Sequence, residues 1–161
     1  MTPDPTGALA RLFEQHADEL VRGLIAAGYA DASDAVQEAF VQAVVHWRRI
    51  ARYDDPLAWV RRVAINKARN RSRSRRRQSA LADRLGERES RVVGVLEGPD
   101  DDVIEAVAAL PQQQRLVVAL FYYSDLSIRQ VADVLGVSVG TVKSQLHAAR
   151  AAVAHILEVA S

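Results

Sequence analysis

The stretch Ser127–Val153, SIRQVADVLGVSVGTVKSQLHAARAAV, carries two helices and the turn between them in its residue order. Ser127 and Gln130 have the S-x-x-Q spacing of a capping box, in which the serine oxygen accepts an orphan amide and the glutamine reaches back. Ile128, Val131, Ala132 and Leu135 recur at helical spacing and predict one buried face. Gly136 can take a left-handed C-cap without a Cβ penalty. Ser138 restarts the chain as the next N-cap, worth about 1 kcal/mol over alanine. In the second helix Val142, Leu146, Ala149 and Val153 form the inner stripe, while Gly140, Lys143, Ser144, His147 and Ala151 point the other way. A short helix, a tight turn and a second helix with a small, polar outer face predict a helix-turn-helix shaped for a major groove. An ordinary helical hairpin would also accept alanine and glycine at its turn, but its solvated face would carry a Glu/Lys lattice, which this one lacks.

Outward from this motif, Asp101–Leu110 predicts a helix, Pro111 in LPQQQ opens the next, and Gln112–Tyr123 reads as a strongly apolar helix. Residues 102–161 are therefore expected to form one compact helical domain. Residues 78–101 read as a flexible linker, broken by Gly86, Gly94, Gly98 and Pro99, with a partial helix near Leu81–Arg88. Residues 8–77 form the other predicted domain, making the chain all-α with two small helical domains. Its first helix, about Ala8–Ala27, shows Leu9, Leu12, Phe13, Leu20, Leu24 and Ile25 on one side and ends at Gly28; residues 1–7 are expected to be disordered. The next, about Ser33–Ile50, is capped by Ser33 or Asp31 and places Val36, Ala39, Phe40, Ala43, Val44 and Trp47 in the core. Its opposite face carries Asp34, Gln37, Glu38, Val41 and Val45, which suits either a protein-docking strip or a solvated face with scattered valines.

The loop Arg52–Asp55 mixes an arginine, Tyr53 and the carboxylates Asp54 and Asp55 before Pro56. It can line a pocket for an unstacked base, or serve as a connector in which Asp55 caps a helix with Pro56 at N1. That helix runs into the seventies, with Leu57, Val60, Val63, Ala64 and Ala68 inward. Arg62, Asn66, Arg69, Arg73 and Arg76 recur at four- and three-residue spacing as an outward stripe. Over Arg71–Arg77 arginines surround the axis, so the helix is expected to have left the core. No acid interrupts the sequence between Asp55 and Asp83. Mutual repulsion would disfavour such a helix unless an anion is expected.

Net charge is only +1, yet residues 1–44 carry −5, residues 45–77 carry +10, residues 78–105 carry −5 and the remainder +1. Such segregation is the footprint of a nucleic-acid surface flanked by acidic surfaces for other partners. There is no cysteine, which excludes disulfides, zinc-thiolate sites and thiol nucleophiles. His16, His46, His147 and His155 lack metal-ligand spacing, no phosphate-binding loop is present, and Glu14, Asp18 and Glu19 read as a solvated face. The expectation is a protein without catalytic residues, metal or cofactor. No apolar run approaches the roughly 18 residues of a membrane span, and MTPDPTGALARLFEQ lacks a signal-peptide core, so a cytoplasmic address without membrane insertion is expected.

SDAVQEAF (Ser33–Phe40) followed by YDDPLAWVRRVAINKARNRSRSRRR resembles the promoter-melting domain of extracytoplasmic-function (ECF) sigma factors, members of the RNA polymerase sigma-70 family. LPQQQRLVVALFYYSDLSIRQVADVLGVSVGTVKSQLHAAR resembles their C-terminal promoter-binding domain. The likeness covers about Leu9–Val153, with both halves in family order. It implies a role in transcription initiation, with core RNA polymerase and promoter DNA as partners and room for an anti-sigma factor. By that resemblance Asp34, Gln37, Glu38 and Val41 grip the polymerase clamp helices. Arg52, Tyr53, Asp54 and Asp55 capture a flipped base of the minus-ten element, and Arg62, Asn66, Arg69, Arg73 and Arg76 hold the melting duplex. Thr141, Lys143, Ser144, His147 and Arg150 meet the minus-thirty-five element. Gln130 stands where the family commonly has glutamate, and Gln145 and Ala148 where it often has arginine. A stand-alone helix-turn-helix regulator and a general nucleic-acid compaction protein are the competing readings of the residues.

Overall fold

The computed structural model describes residues 5–84 and 101–160, which form helices and no strand. In order these are α1 (Pro5–Ala26), α2 (Ala32–Ile50), α3 (Pro56–Arg84), α4 (Asp101–Ala108), α5 (Gln112–Val118), α6 (Ile128–Leu135) and α7 (Val139–Ala160). Between α5 and α6 the chain continues as a π-helical turn, Ala119–Tyr123. The described residues group into two units, 5–21 with 29–84 and 22–28 with 101–160.

In the first unit α2 buries Ala32, Ala35, Val36, Ala39, Phe40, Ala43, Trp47 and Ile50. Their spacing of three and four residues puts them on one face. Alanine fills half of these positions, and α3 answers with Val60, Ala64, Ile65 and Ala68. Small side chains let two helices approach closely, and close approach covers only a narrow arc. Val44 lies just past the edge that Phe40 marks and is 64% exposed, so its expected core position is corrected. Exposed Val41 and Val45 join it in an apolar ridge. The buried face of α3 is also rotated from expectation: Leu57 and Val63 are half-buried, while Ile65 and Arg61 are buried. In α1, Phe13 is partly exposed yet sets its ring edge-on against Phe40, with centroids 5.0 Å apart. That helix begins at Pro5 rather than Ala8, a start that proline's fixed φ favours. Residues 1–4 lie outside the described set.

α3 continues to Arg84, into the segment read as a linker. The remainder of the predicted partial helix near Leu81–Arg88 lies outside the described residues.

In the second unit Leu116, Val117, Leu120, Val131, Val142 and Leu146 are buried together with Ala119, Ala132, Val134 and Ala149. The segment 22–28 grouped here ends α1 at Gly28, whose φ of +93° lies in the left-handed region. Gln112 Nε2 donates to the Ala27 carbonyl at 2.6 Å and Arg115 Nε to that of Ala26 at 2.9 Å, which satisfies carbonyls that a helix end leaves orphaned. Burial lowers the Arg115 pKa. The apolar helix expected over Gln112–Tyr123 is present, but its last turn loosens, with Ser124 N donating to the Ala119 carbonyl at 3.0 Å.

Candidate nucleic-acid interface and docking strip

α3 sorts its arginines by face. Arg62, Asn66, Arg73 and Arg76 are exposed and Arg69 is half-buried, so the predicted stripe stands along the outer side of the helix. The inner arginines are engaged with carboxylates. Arg61, only 6% exposed, places Nη2 3.4 Å from Glu19 Oε1, and desolvation pulls its pKa down. Further along, Arg71 pairs with Glu38 and lies 3.8 Å from Asp34. Arg75 reaches Asp31 with both Nε (2.7 Å) and Nη2 (2.6 Å), a two-point grip. That hydrogen bonding, ahead of the charge itself, holds the Asp31 carboxyl below its ordinary 3.8. Asp31 stands at the N-cap of α2 but makes no side-chain cap bond there, because its oxygens are turned to Arg75. The helix has left the apolar core beyond Arg71, as expected, and Asp31, Asp34 and Glu38 continue the inner seam there as ion pairs.

The same seam gathers the strip residues. Asp34, Gln37, Glu38 and Val41 line one groove of about 450 Å³ with Gln42, Lys67 and Arg71. Val41, Asp34 and Gln37 are exposed and Glu38 is half-buried against Arg71. A cationic partner arriving at this groove meets carboxylates already placed and partly neutralised, beside an apolar ridge.

All four residues of the Arg52–Asp55 loop are exposed. Tyr53 N donates to the Ile50 carbonyl at 2.9 Å, turning the chain out of α2. Asp55 Oδ1 accepts from Ala58 N at 3.1 Å, so Asp55 caps α3 with Pro56 behind it. The cap fixes one end of the loop and leaves the Arg52, Tyr53 and Asp54 side chains at the surface.

In the second unit both halves of the capping box are made: Ser127 N donates to Gln130 Oε1 at 2.9 Å and Gln130 N to Ser127 Oγ at 3.1 Å. Gly136 closes α6 at φ +68°. Ser138 Oγ then accepts from Thr141 N at 3.0 Å and shares a 2.9 Å hydrogen bond with Thr141 Oγ1. Thr141 therefore spends its hydroxyl on the turn. Val134 is buried where Ile128 and Leu135 are only half-buried, a shift of the inner face within α6. Lys143, Ser144, His147 and Arg150 are exposed on α7. Arg150 Nε donates to the Tyr122 hydroxyl at 2.7 Å, and its guanidinium lies 5.6 Å and 5.9 Å from the Tyr122 and Phe121 ring centroids.

Sequence reasoning missed Arg61, the Arg71 and Arg75 pairs and Tyr122. The three- and four-residue spacing of Asp31, Asp34 and Glu38, matched by the four-residue spacing of Arg71 and Arg75, was the available signal for those pairs; none existed for Tyr122. Among the described residues no group of histidines and carboxylates is arranged to hold a metal ion, and no helix is long and apolar enough to cross a membrane.

An outward arginine stripe and a capped helix-turn-helix are features of a DNA-binding protein. Residues 12–78 match the model of sigma-70 region 2 and residues 100–153 that of sigma-70 region 4. The RNA polymerase sigma-E factor of Streptomyces antibioticus is 34% identical over 130 residues, covering 80% of this chain and 71% of that protein. The ECF RNA polymerase sigma factor SigL of Mycobacterium tuberculosis is 32% identical over 143 residues, covering 84% and 81%. An uncharacterised Rhizobium meliloti protein, R00370, is 33% identical over 135 residues; the match covers 76% of this chain but 32% of that protein. In structure the fold is similar to the sigma factor RpoE of Bartonella quintana, solved with the anti-sigma factor NepR, at a TM-score of 0.73 and 21% identity over 96% of both chains. The chain belongs to the extracytoplasmic-function sigma factors of the RNA polymerase sigma-70 family.

Proposed function

We propose that this chain directs core RNA polymerase to promoters by docking through the α2 groove, opening the minus-ten element with the first unit and reading the minus-thirty-five element with α7. Asp34, Gln37, Glu38 and Val41 form the docking strip, and the exposed Val44 and Val45 widen it. Arg52, Tyr53 and Asp54 receive an unpaired base, on a loop whose end is fixed by the Asp55 cap. Arg62, Asn66, Arg69, Arg73 and Arg76 neutralise phosphates of the opening duplex. Unpairing costs a few kcal/mol per flipped base, offset by stacking and phosphate contacts, so strand separation proceeds without covalent chemistry. On α7, Lys143, Ser144, His147 and Arg150 meet the groove, with Thr141 holding the turn. The site of action is the cytoplasm, and an anti-sigma factor that covers the α2 groove is the regulatory partner this reading admits.

The observation that carries the reading is the sorting of α3: arginines facing outward are kept apart from an acid-lined groove on the other side. A solvated helix would have no reason to separate them. The test is core polymerase binding and promoter-directed transcription with Glu38→Lys and Val41→Lys combined. A loss of tenfold or more in polymerase affinity, with helicity and thermal midpoint near wild type, supports the docking strip. Wild-type polymerase affinity in the folded double variant overturns it. Nanomolar, sequence-specific binding of free protein to a promoter, with no affinity for polymerase, would establish a stand-alone regulator instead.

A further inference from the structure

Two features of the described residues are left unused by the proposed function: the buried Arg61 with its partner Glu19, and the aromatic contact on Arg150. The second carries an inference. Arg150 lies on the same ridge of α7 as Lys143 and His147, at the four- and three-residue spacing of a single face, and all are exposed. It stands about three turns into the helix, beyond the N-terminal residues that a recognition helix presents to base edges. A cation at that depth meets the sugar–phosphate backbone. Long arginine side chains on a surface are ordinarily spread over many rotamers, and ordering one on binding costs entropy.

Here the ordering is already done. The π-helical turn changes the register of Ala119–Tyr123, and the turn carries Tyr122 to the guanidinium. The Tyr122 hydroxyl accepts from Nε at 2.7 Å, and two aromatic rings lie within 6 Å of Cζ. Because Nε is the atom engaged, the terminal Nη1 and Nη2 fork remains for a pair of oxygens. No carboxylate among the described residues pairs with it. Single-turn π segments are frequent at functional sites, which fits a turn whose product is one aimed side chain.

We infer that Tyr122 is a positioning residue that presets Arg150 as a clamp for a backbone phosphate of the DNA read by α7. This deepens the proposed minus-thirty-five contact and rests on it. Phosphate contacts fix register without carrying sequence, so the clamp adds affinity equally on any duplex.

The experiment is anisotropy with promoter and scrambled duplexes across a salt series, using the full chain as Tyr122→Phe, Arg150→Gln and the combination. Tyr122→Phe keeps the ring and removes the hydroxyl. Arg150→Gln should weaken both duplexes alike, by roughly three- to tenfold, and flatten the log K against log salt slope by about 0.9. Tyr122→Phe should weaken both by about threefold and leave their ratio unchanged. The combination should bind no more weakly than Arg150→Gln alone, because the tyrosine acts through the arginine. Additive losses would mean that Tyr122 touches DNA itself and overturn the inference. So would a wild-type Tyr122→Phe beside a weakened Arg150→Gln. A loss confined to the promoter duplex would make Arg150 a base reader and overturn the phosphate assignment. Unchanged binding by Arg150→Gln would remove Arg150 from the DNA surface, and the proposed minus-thirty-five role of that residue with it.

Discussion

α3 and α7 are both proposed to hold DNA, and they are built on opposite economies of charge. α3 carries dense cation, of which Arg61, Arg71 and Arg75 are engaged by carboxylates of α1, of α2 and of its N-cap residue Asp31. α7 exposes only Lys143 and Arg150 as permanent cations, among serine, threonine, alanine and glycine. The difference teaches that arginine number alone does not measure the surface a helix leaves open to a partner. In α3 the face decides: inner arginines extend a helix that has outrun its apolar core, and outer ones face solvent. In α7 the caps decide, because small polar residues read a groove only if the backbone that carries them is fixed.

The comparison breaks if the two faces of α3 behave alike. Combining Arg73→Gln with Arg76→Gln should lower duplex affinity by on the order of tenfold or more at low salt and reduce the salt slope by about 1.8, with thermal stability unchanged. Combining Arg71→Gln with Arg75→Gln should do the reverse, lowering the thermal midpoint by a few degrees and leaving the salt slope in place. Equal slopes for the two pairs would erase the distinction between faces. On α7, Lys143→Ala should cost roughly threefold in affinity and about 0.9 in slope, one phosphate's worth. A larger loss on promoter than on scrambled duplex would mean that Lys143 reads a base.

Stability measurements sharpen the contrast further. Ser127→Ala should destabilise the second unit by about 1 kcal/mol in urea unfolding, independent of pH, because the box is built from a hydroxyl and an amide. The Asp31–Arg75 grip should behave otherwise. Arg75 holds the Asp31 carboxyl below its ordinary 3.8, so the folded state binds fewer protons there than the unfolded chain. Its contribution is whole above that value and disappears as pH falls through the lowered one. Asp31→Asn should therefore remove a small acid-side slope from the unfolding free energy between about pH 5 and 2. An identical slope in the variant would show that Arg75 contributes nothing to stability through Asp31.

The helix-turn-helix was legible because its determinants are local. Ser127, Gln130, Gly136 and Ser138 each act on backbone within four residues, and every one is found at its expected task. The outward stripe of α3 was legible by periodicity alone. Residues misread from the sequence depend on a partner helix. Val44 lost its core place because Ala39 and Ala43 draw α3 close and narrow the covered arc. Arg61 is one position from Arg62, and only the location of Glu19 on α1 tells the buried residue from the exposed one. Asp34 and Glu38 have the same four-residue spacing as Arg71 and Arg75, but only the packing of α3 on α2 tells that Arg71 is the arginine they share.

The π-helical turn also has a consequence for length. A helix bonded from i to i+5 holds an extra residue relative to the α register, so Ala119–Tyr123 can be regarded as α-helix with one residue inserted. Deleting one residue from that segment would restore the α register and keep the apolar composition. It would also rotate the chain beyond the deletion by about 100°, swinging Tyr122 off Arg150 without touching either side chain. An indel scan, which substitution libraries omit, is therefore the sharper instrument at this position. Any chain one residue shorter between its counterpart of Pro111 and its helix-turn-helix has to find a different anchor for its arginine.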